Sequence, residues 1–280
     1  MAVRLIATDL DGTLLNGSVL DGAVVDGSGA VTPRTRRALD AARAAGIHTV
    51  PVTARQPIGL RPIAAQAGFD EWALCGNGAY GVHLTTGERL FAEELPAAVQ
   101  QELAAALRDV LPDLVFASVQ DGGERFVAQQ GYAALAAYGD HKRRPETMGG
   151  VPLAEVLSVP SLKLVIRHPS LPIPEVYAAV QATGVTGFES TMSGAPFVEV
   201  MAEGVSKATG LAHVCGRLGI DRSEVIAFGD ALNDLEMLQW AGRGIAVANA
   251  IDVVREAADE VTAANDEHGV ALVIEELLGL

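Results

Sequence analysis

Asp9 and Asp11 stand two residues apart in the run Asp9-Leu10-Asp11-Gly12-Thr13-Leu14-Leu15, directly after a short, mostly apolar stretch from Val3 to Thr8. A partly β-branched run of that length predicts a strand covered on both faces. Its end is where an open α/β sheet keeps its ligands, outside the carboxyl ends of the strands. One carboxylate there can attack an electrophile while the second handles the proton. Two plainer readings compete. A calcium loop also opens D-x-D-G, but it wants Gly at loop position six and Glu at twelve. The chain has Leu14 and Leu20 there, which excludes it. A Gly-containing turn with solvated Asp residues stays open on this segment alone.

The elements that must position these groups follow a βαβα rhythm at both ends of the chain. Thr32 is a good N-cap with Pro33 at the first helical position, and the Ala/Arg-rich helix stops at Gly46. A β-branched strand, Ile47 to Val52, then ends at Thr53-Ala54-Arg55. A helix from Ile58 to Ala67 leads to the strand Trp72 to Cys75. Val19 to Val25 reads as a small hairpin on the turn Asp21-Gly22, a candidate flap beside the first loop. The middle differs: a hairpin around Thr86-Gly87, an amphipathic helix from Pro96 to Leu111, then mixed strands and helices to about Ser193. After Val200 the rhythm returns. Ser206 caps a helix ended by Gly219, Val225 to Phe228 is a buried strand closing on Gly229-Asp230, and Leu235 to Ala241 is a helix. A strand Ile245 to Ala248, a helix Val253 to Ala258, a short strand Val261-Thr262 and a helix from Gly269 complete the pattern. The expected architecture is one α/β domain built from both ends of the chain, residues 1–94 and 196–280, with an α+β domain, residues 95–195, inserted in it.

Four sites then share one position, the end of a strand or the start of the next helix: Asp9/Asp11, Thr53, Lys207 and Asp230/Asn233/Asp234. The order D-L-D-G-T-L-L, a strand-end Thr, G-V-S-K and G-D-A-L-N-D-L-E-M-L resembles the haloacid dehalogenase superfamily of phosphatases. More narrowly it resembles the Cof-like subfamily with a type II, subclass B cap, and the resemblance covers the whole chain. It implies a Rossmann-like, doubly wound, mostly parallel sheet with an inserted substrate-specifying cap. It also implies a Mg²⁺-dependent phosphatase acting through an aspartyl-phosphate on small phosphorylated metabolites such as sugar phosphates. Asp9 would be the nucleophile and Asp11 the general acid and base. Asp9, Asp230, Asp234 and the backbone carbonyl of Asp11 would hold the metal, an oxygen-only set suited to Mg²⁺. Thr53 and Lys207 would bind the phosphoryl group, and Asn233 would touch the phosphate or orient Asp234. A phosphomutase, or a non-catalytic binding protein on the same fold, are the alternative functions. Two positions depart from the family pattern: Ala54 stands where Gly is usual after the motif threonine, and Ala208 where Gly often follows the lysine. If the first requires a positive φ, Ala54 would strain the loop.

Composition bounds the partners. A formal charge of −15 and a pI near 4.7 disfavour nucleic acid and anionic membrane as partners and demand a local cation at any phosphate site. No apolar stretch reaches membrane-spanning length and no secretory leader is evident, so a cytoplasmic monomer or small homo-oligomer is expected. Cys75 and Cys215 read as buried small hydrophobes. Gly76-Asn77-Gly78-Ala79-Tyr80-Gly81 has the form G-x-G-x-x-G, but a strand pattern follows where the dinucleotide fingerprint needs a helix. Asn77 is instead expected to support the site or simply to make a turn. The cluster His141-Lys142-Arg143-Arg144 reads as a solvated loop, and Arg125, Lys163 and His141 as donors that a substrate could meet.

Overall fold

The computed structural model describes residues 2–15, 19–20, 23–24 and 29–280. Contacts divide the chain into two compact units. The first comprises Met1–Arg55, Gly59–Phe91 and Ser206–Leu280, the second Gln56–Ile58 and Ala92–Val205.

The first unit carries a five-stranded sheet in the order Glu260–Thr262, Arg243–Val247, Val225–Gly229, Leu5–Thr8, His48–Pro51, and all its pairings are parallel. Leu5, Ile6, Ala7 and Thr8 are all buried, which a strand shielded on both faces requires. Helices Pro33–Ala44 and Gly269–Leu278 pack against each other, as do Lys207–Leu218 and Leu235–Trp240. Their apolar faces join the strands in one core through Leu39, Leu211, Met237 and Ile274. Caps fix the helix limits. The Thr32 hydroxyl accepts from Thr35 N, Ser206 accepts from Thr209 N, and Gly219 takes the left-handed C-cap at φ 63°. A parallel bridge from Val52 to Leu74 continues the sheet toward the antiparallel Trp72–Cys75 and Tyr80–His83 strands.

Chain order reverses at Leu5–Thr8, with His48–Pro51, the next strand of this sheet in sequence, on one side and Val225–Gly229 on the other. That is the topological switch point where such sheets hold ligands. The register brings the strand ends level. Thr8 pairs with Phe228 and with Pro51, Asp9 N donates to Phe228 O at 3.0 Å, and Val52 N donates to Thr8 O at 2.9 Å.

The second unit is an antiparallel sheet in the order Phe188–Thr191, Val198–Ala202, Lys163–Arg167, Val115–Gln120, Arg125–Ala128. Alternation sorts its faces. Phe116, Leu164, Ile166, Val198 and Val200 form one core with helices Ala97–Val110 and Ile173–Gln181, while Ala117, Val165 and Phe197 form a second cluster with Tyr132 and Met148.

Most expected elements are found within a residue or two. The strand expected at Ile245 to Ala248 runs instead over Arg243–Val247, because the ladder starts where Arg243 pairs with Ile226, and Arg243 grips Glu260 with two bonds of 2.6 Å. In the hairpin expected at Val19 to Val25, Val19–Leu20 pairs with Ala23–Val24; its turn and Val25 lie outside the described residues. The dinucleotide-like Gly76–Gly78 segment is a short turn leading into the Tyr80–His83 strand, with Asn77 left-handed at φ 59°. The His141–Arg144 cluster is only in part the solvated loop expected: Arg144 is exposed, Lys142 and Arg143 are half-buried, and His141 is not solvated. His141 is buried, stacked on Phe197 at 4.7 Å, with its Nε2 2.7 Å from the Tyr132 hydroxyl. Burial first, and then the charges of Lys163, Arg167 and Arg143, push this imidazole down to about 3. Lys163 is likewise buried, in an ion pair with Glu199, so neither side chain offers its polar atoms to a substrate here.

Candidate active site

The segment after the first strand makes a tight turn, Leu10–Leu14, closed by Leu15 N donating to Leu10 O at 2.9 Å. Gly12 adopts φ 86° there, and a Cβ on it would overlap the Asp230 carboxylate. Glycine is required on both counts. The Thr13 hydroxyl donates to Asp230 Oδ1 at 2.6 Å, locking the first loop to the loop after Val225–Gly229.

Lys207 lies at the first turn of its helix, fully buried, and its ammonium donates to Asp9 Oδ1 and to Asp234 Oδ1, each at 2.6 Å. Burial alone would lower this amine, but the carboxylates of Asp234 and Asp9 outweigh it and hold the lysine above its ordinary range. Asp234 spends its other oxygen on the Asp230 and Ala231 amides, both at 3.0 Å, and so shapes the loop that carries Asp230. Asp9, Asp230 and Asp234 each offer an oxygen within 4.8 Å of the others. Burial, only partly offset by Lys207 and reinforced by Asp234, Asp230 and Asp11, raises Asp9 well above the usual carboxylate range. Burial and Asp234 push Asp230 up to about 7. With all three carboxylates ionised against one ammonium, two negative charges remain, which a single divalent cation would balance. All the donors are hard oxygens, so the set fits Mg²⁺.

Asp11 directs its carboxylate elsewhere. Arg55 Nε and Nη2 grip its two oxygens at 2.6 and 2.5 Å, a fork that fixes the plane of the carboxylate. Arg55 also donates to Gly59 O at 3.1 Å. Thr53 is buried, and its hydroxyl oxygen accepts from Arg55 N at 3.1 Å, which leaves the hydroxyl proton for another acceptor. Ala54 is not among the residues of positive φ, so alanine there brings no backbone strain. Ala208 sits within its helix, where alanine is the better former. The close approach falls instead at Gly210, where a Cβ would lie 2.8 Å from Gly78 Cα.

Asn233 does not orient Asp234. Its amide nitrogen donates to Asn77 Oδ1 at 3.0 Å, while its own Oδ1 is buried without a hydrogen-bond partner. The sequence placed Asp9, Asp230, Asp234 and Lys207 in one site, and these four side chains do meet. It gave Arg55 no role beyond membership of the second motif. The signal available was position, since Arg55 follows Thr53 by two residues at the same strand end.

Against proteins of known family, residues 6–274 match the family of haloacid dehalogenase-like hydrolases. The chain belongs to that family. The putative phosphatase YxeH of Bacillus subtilis is 31% identical over 98% of both chains. The pyridoxal phosphate phosphatase YbhA of Escherichia coli is 28% identical over 98% of both. Among solved structures, a haloacid dehalogenase-like hydrolase from Bacteroides thetaiotaomicron superposes with a TM-score of 0.75 at 27% identity, covering 98% of this chain and 99% of the other. A subclass IIB sugar phosphatase shares the fold at TM-score 0.80 and 22% identity, over 98% of each chain. These comparisons support a phosphatase of this family. Among the described residues no helix is long and apolar enough to cross a membrane.

Proposed function

We propose that the protein is a Mg²⁺-dependent phosphatase of small phosphorylated metabolites, working in the cytoplasm through an aspartyl-phosphate on Asp9. The observation that carries this reading is the meeting of Asp9, Asp230 and Asp234 around one buried lysine at the switch point of the sheet. Asp9, Asp230 and Asp234, with the backbone carbonyl of Asp11, would hold the ion. Its charge would offset the crowding of the carboxylates and that on the phosphoryl oxygens.

Asp9 attacks phosphorus with a carboxylate oxygen as the ester P–O bond breaks, and the electron pair of that bond passes to the leaving oxygen. Asp11, protonated and with one oxygen released from the Arg55 fork, gives that oxygen its proton. A water molecule then attacks phosphorus and returns a proton to Asp11, and the Asp9–phosphorus bond breaks to release inorganic phosphate. Lys207 fixes one oxygen of Asp9 and faces the transferring group with its charge, and the Thr53 hydroxyl donates to a phosphoryl oxygen. The Asn233–Asn77 bond joins two of the loops around the site. The second unit serves as the cap; its main segment runs over Ala92–Val205, longer at both ends than the 95–195 read from the sequence, because the Val198–Ala202 strand pairs with Lys163–Arg167 in the antiparallel sheet. Named relatives act on pyridoxal phosphate and on sugar phosphates, and substrates of that size are expected here.

The test is release of inorganic phosphate from a panel of phosphorylated metabolites with and without Mg²⁺, repeated with Asp9→Asn. Turnover that needs both Mg²⁺ and the Asp9 carboxylate is expected. An Asp9→Asn protein with near wild-type turnover would refute the covalent route, and interconversion of sugar phosphates without phosphate release would favour a mutase.

A further inference from the structure

We infer that Asn249 is a positioning residue for the turn bearing Asp9 and Asp11, acting together with Asn265 as a brace. The inference rests on the phosphatase reading above. Asn249 lies two residues past the Arg243–Val247 strand, which pairs with the Val225–Gly229 strand that leads into Asp230. Its Nδ2 donates to Gly12 O at 2.8 Å, and its Oδ1 accepts from Asn265 N at 2.9 Å. Asn265 in turn donates its own Nδ2 to Leu15 O at 2.9 Å. The two amides therefore hold the carbonyls at the start and end of the Gly12–Leu15 segment and are tied to each other. Two residues along, Ile251 N donates to Asp230 O at 3.0 Å, so this one segment fastens both carboxylate-bearing loops.

The turn needs such fastening. Its N-terminal end has no side-chain cap, and Gly12, at φ 86°, is the residue with the widest backbone freedom. The Gly12 carbonyl belongs to the peptide that leads on to Thr13, whose hydroxyl grips Asp230, and Gly12 itself directly follows Asp11. A rotation of that peptide changes the spacing of Asp11 and Asp230 together. Asn249 is exposed, and it contributes little to the core. Its bonds are thus better placed to set geometry than to hold the fold, and catalysis is far more sensitive than stability to small displacements.

The test compares Asn249→Ala, Asn249→Asp and Asn265→Ala with the wild type. The assays are steady-state kinetics on a generic aryl phosphate with Mg²⁺, thermal unfolding, and hydrogen exchange across residues 12–15 without substrate. Asn249→Asp is nearly isosteric and keeps the acceptor for Asn265 N while removing the donor to Gly12 O. The expected result for Asn249→Ala is a kcat lower by about tenfold with KM within about twofold, the pattern of a lost transition-state interaction. Asn249→Asp should fall at least as far, and both should exchange faster over residues 12–15 at nearly unchanged melting temperature. Wild-type kcat and wild-type exchange in Asn249→Asp would overturn the brace, as would a loss of kcat that tracks loss of melting temperature. If the wild type itself releases no phosphate from any ester, the phosphatase reading fails, and the exchange rates still decide whether Asn249 holds the turn.

Discussion

Removing the Arg55 guanidinium should impair catalysis chiefly through Asp11, with the loss of its bond to Gly59 O read separately as stability. The fork comprises two charge-assisted bonds, with the arginine side chain 8% exposed and that of Asp11 47% exposed. The exposed partner is screened, so the pair is worth about 1–2 kcal/mol of coupling, or roughly five- to thirtyfold in rate. Arg55→Ala should lower kcat/KM by that factor on an alkyl phosphate and by less on an aryl phosphate, whose leaving group needs little protonation. Asp11→Asn should cost about 10²–10⁴-fold on the alkyl ester. The decisive measurement is the double variant, which should be no worse than Asp11→Asn, because the guanidinium then has no carboxylate to orient. Arg55→Lys should recover only part of the loss, since an ammonium keeps the charge without the fork. Free-energy losses that add to within about 0.5 kcal/mol would refute the argument and move Arg55 onto the phosphate itself.

Three further outcomes follow from the geometry. Mg²⁺ should raise the melting temperature of chelator-treated protein, Ca²⁺ should be the poorer activator, and full activity after exhaustive chelation would remove the metal assignment of Asp9, Asp230 and Asp234. Gly210→Ala should destabilise by about 1–3 kcal/mol, read by denaturant unfolding, because its methyl meets the Gly78 backbone and not a yielding side chain. His141 is held down to about 3 against about 6.5 in the unfolded chain, so below pH 6.5 the unfolded state takes up a proton that the folded state refuses. The stability tied to the neutral ring is complete above that pH and drains as pH falls toward 3, with a limiting slope of about 1.4 kcal/mol per pH unit. His141→Gln should flatten the slope, and an unchanged acid limb would show that other groups dominate.

The residues that organise the fold wrote their signals locally. Thr32-Pro33, Ser206 and Gly219 mark helix ends through their own backbone and side-chain chemistry, and Leu5 to Thr8 announces a two-sided strand by being apolar at every position but the last. The carboxylates were legible because Asp9 and Asp230 directly follow such strands and Asp11 and Asp234 lie in the turns just after them. What stayed hidden depends on partners far away in the chain. Arg55 finds Asp11 across 44 positions and Asn249 finds Gly12 across 237; position at a strand end placed Arg55 near the site, but its neighbourhood does not name Asp11 as its partner, and nothing around Asn249 points to Gly12. His141 misled for the same reason. Its flanking Lys142-Arg143-Arg144 is polar, while the Phe126 and Phe197 rings that enclose it come from distant segments. Asn233 sat in a motif that suggested a role toward Asp234, and only the fold supplies Asn77 as its partner.

The placement of the Leu5–Thr8 strand also sets a timetable for synthesis. Its neighbour at Val225–Gly229 is 220 residues downstream, which at about 5–20 residues per second is a wait of roughly 10–45 s. Meanwhile an almost wholly apolar segment has only His48–Pro51 to pair with. The antiparallel unit, with its own sheet and core, is complete in sequence by Val205 and can fold during the interval. The parallel sheet pays the entropy of its longest closure late, and the hazard of the nascent chain is concentrated in one exposed strand near its beginning.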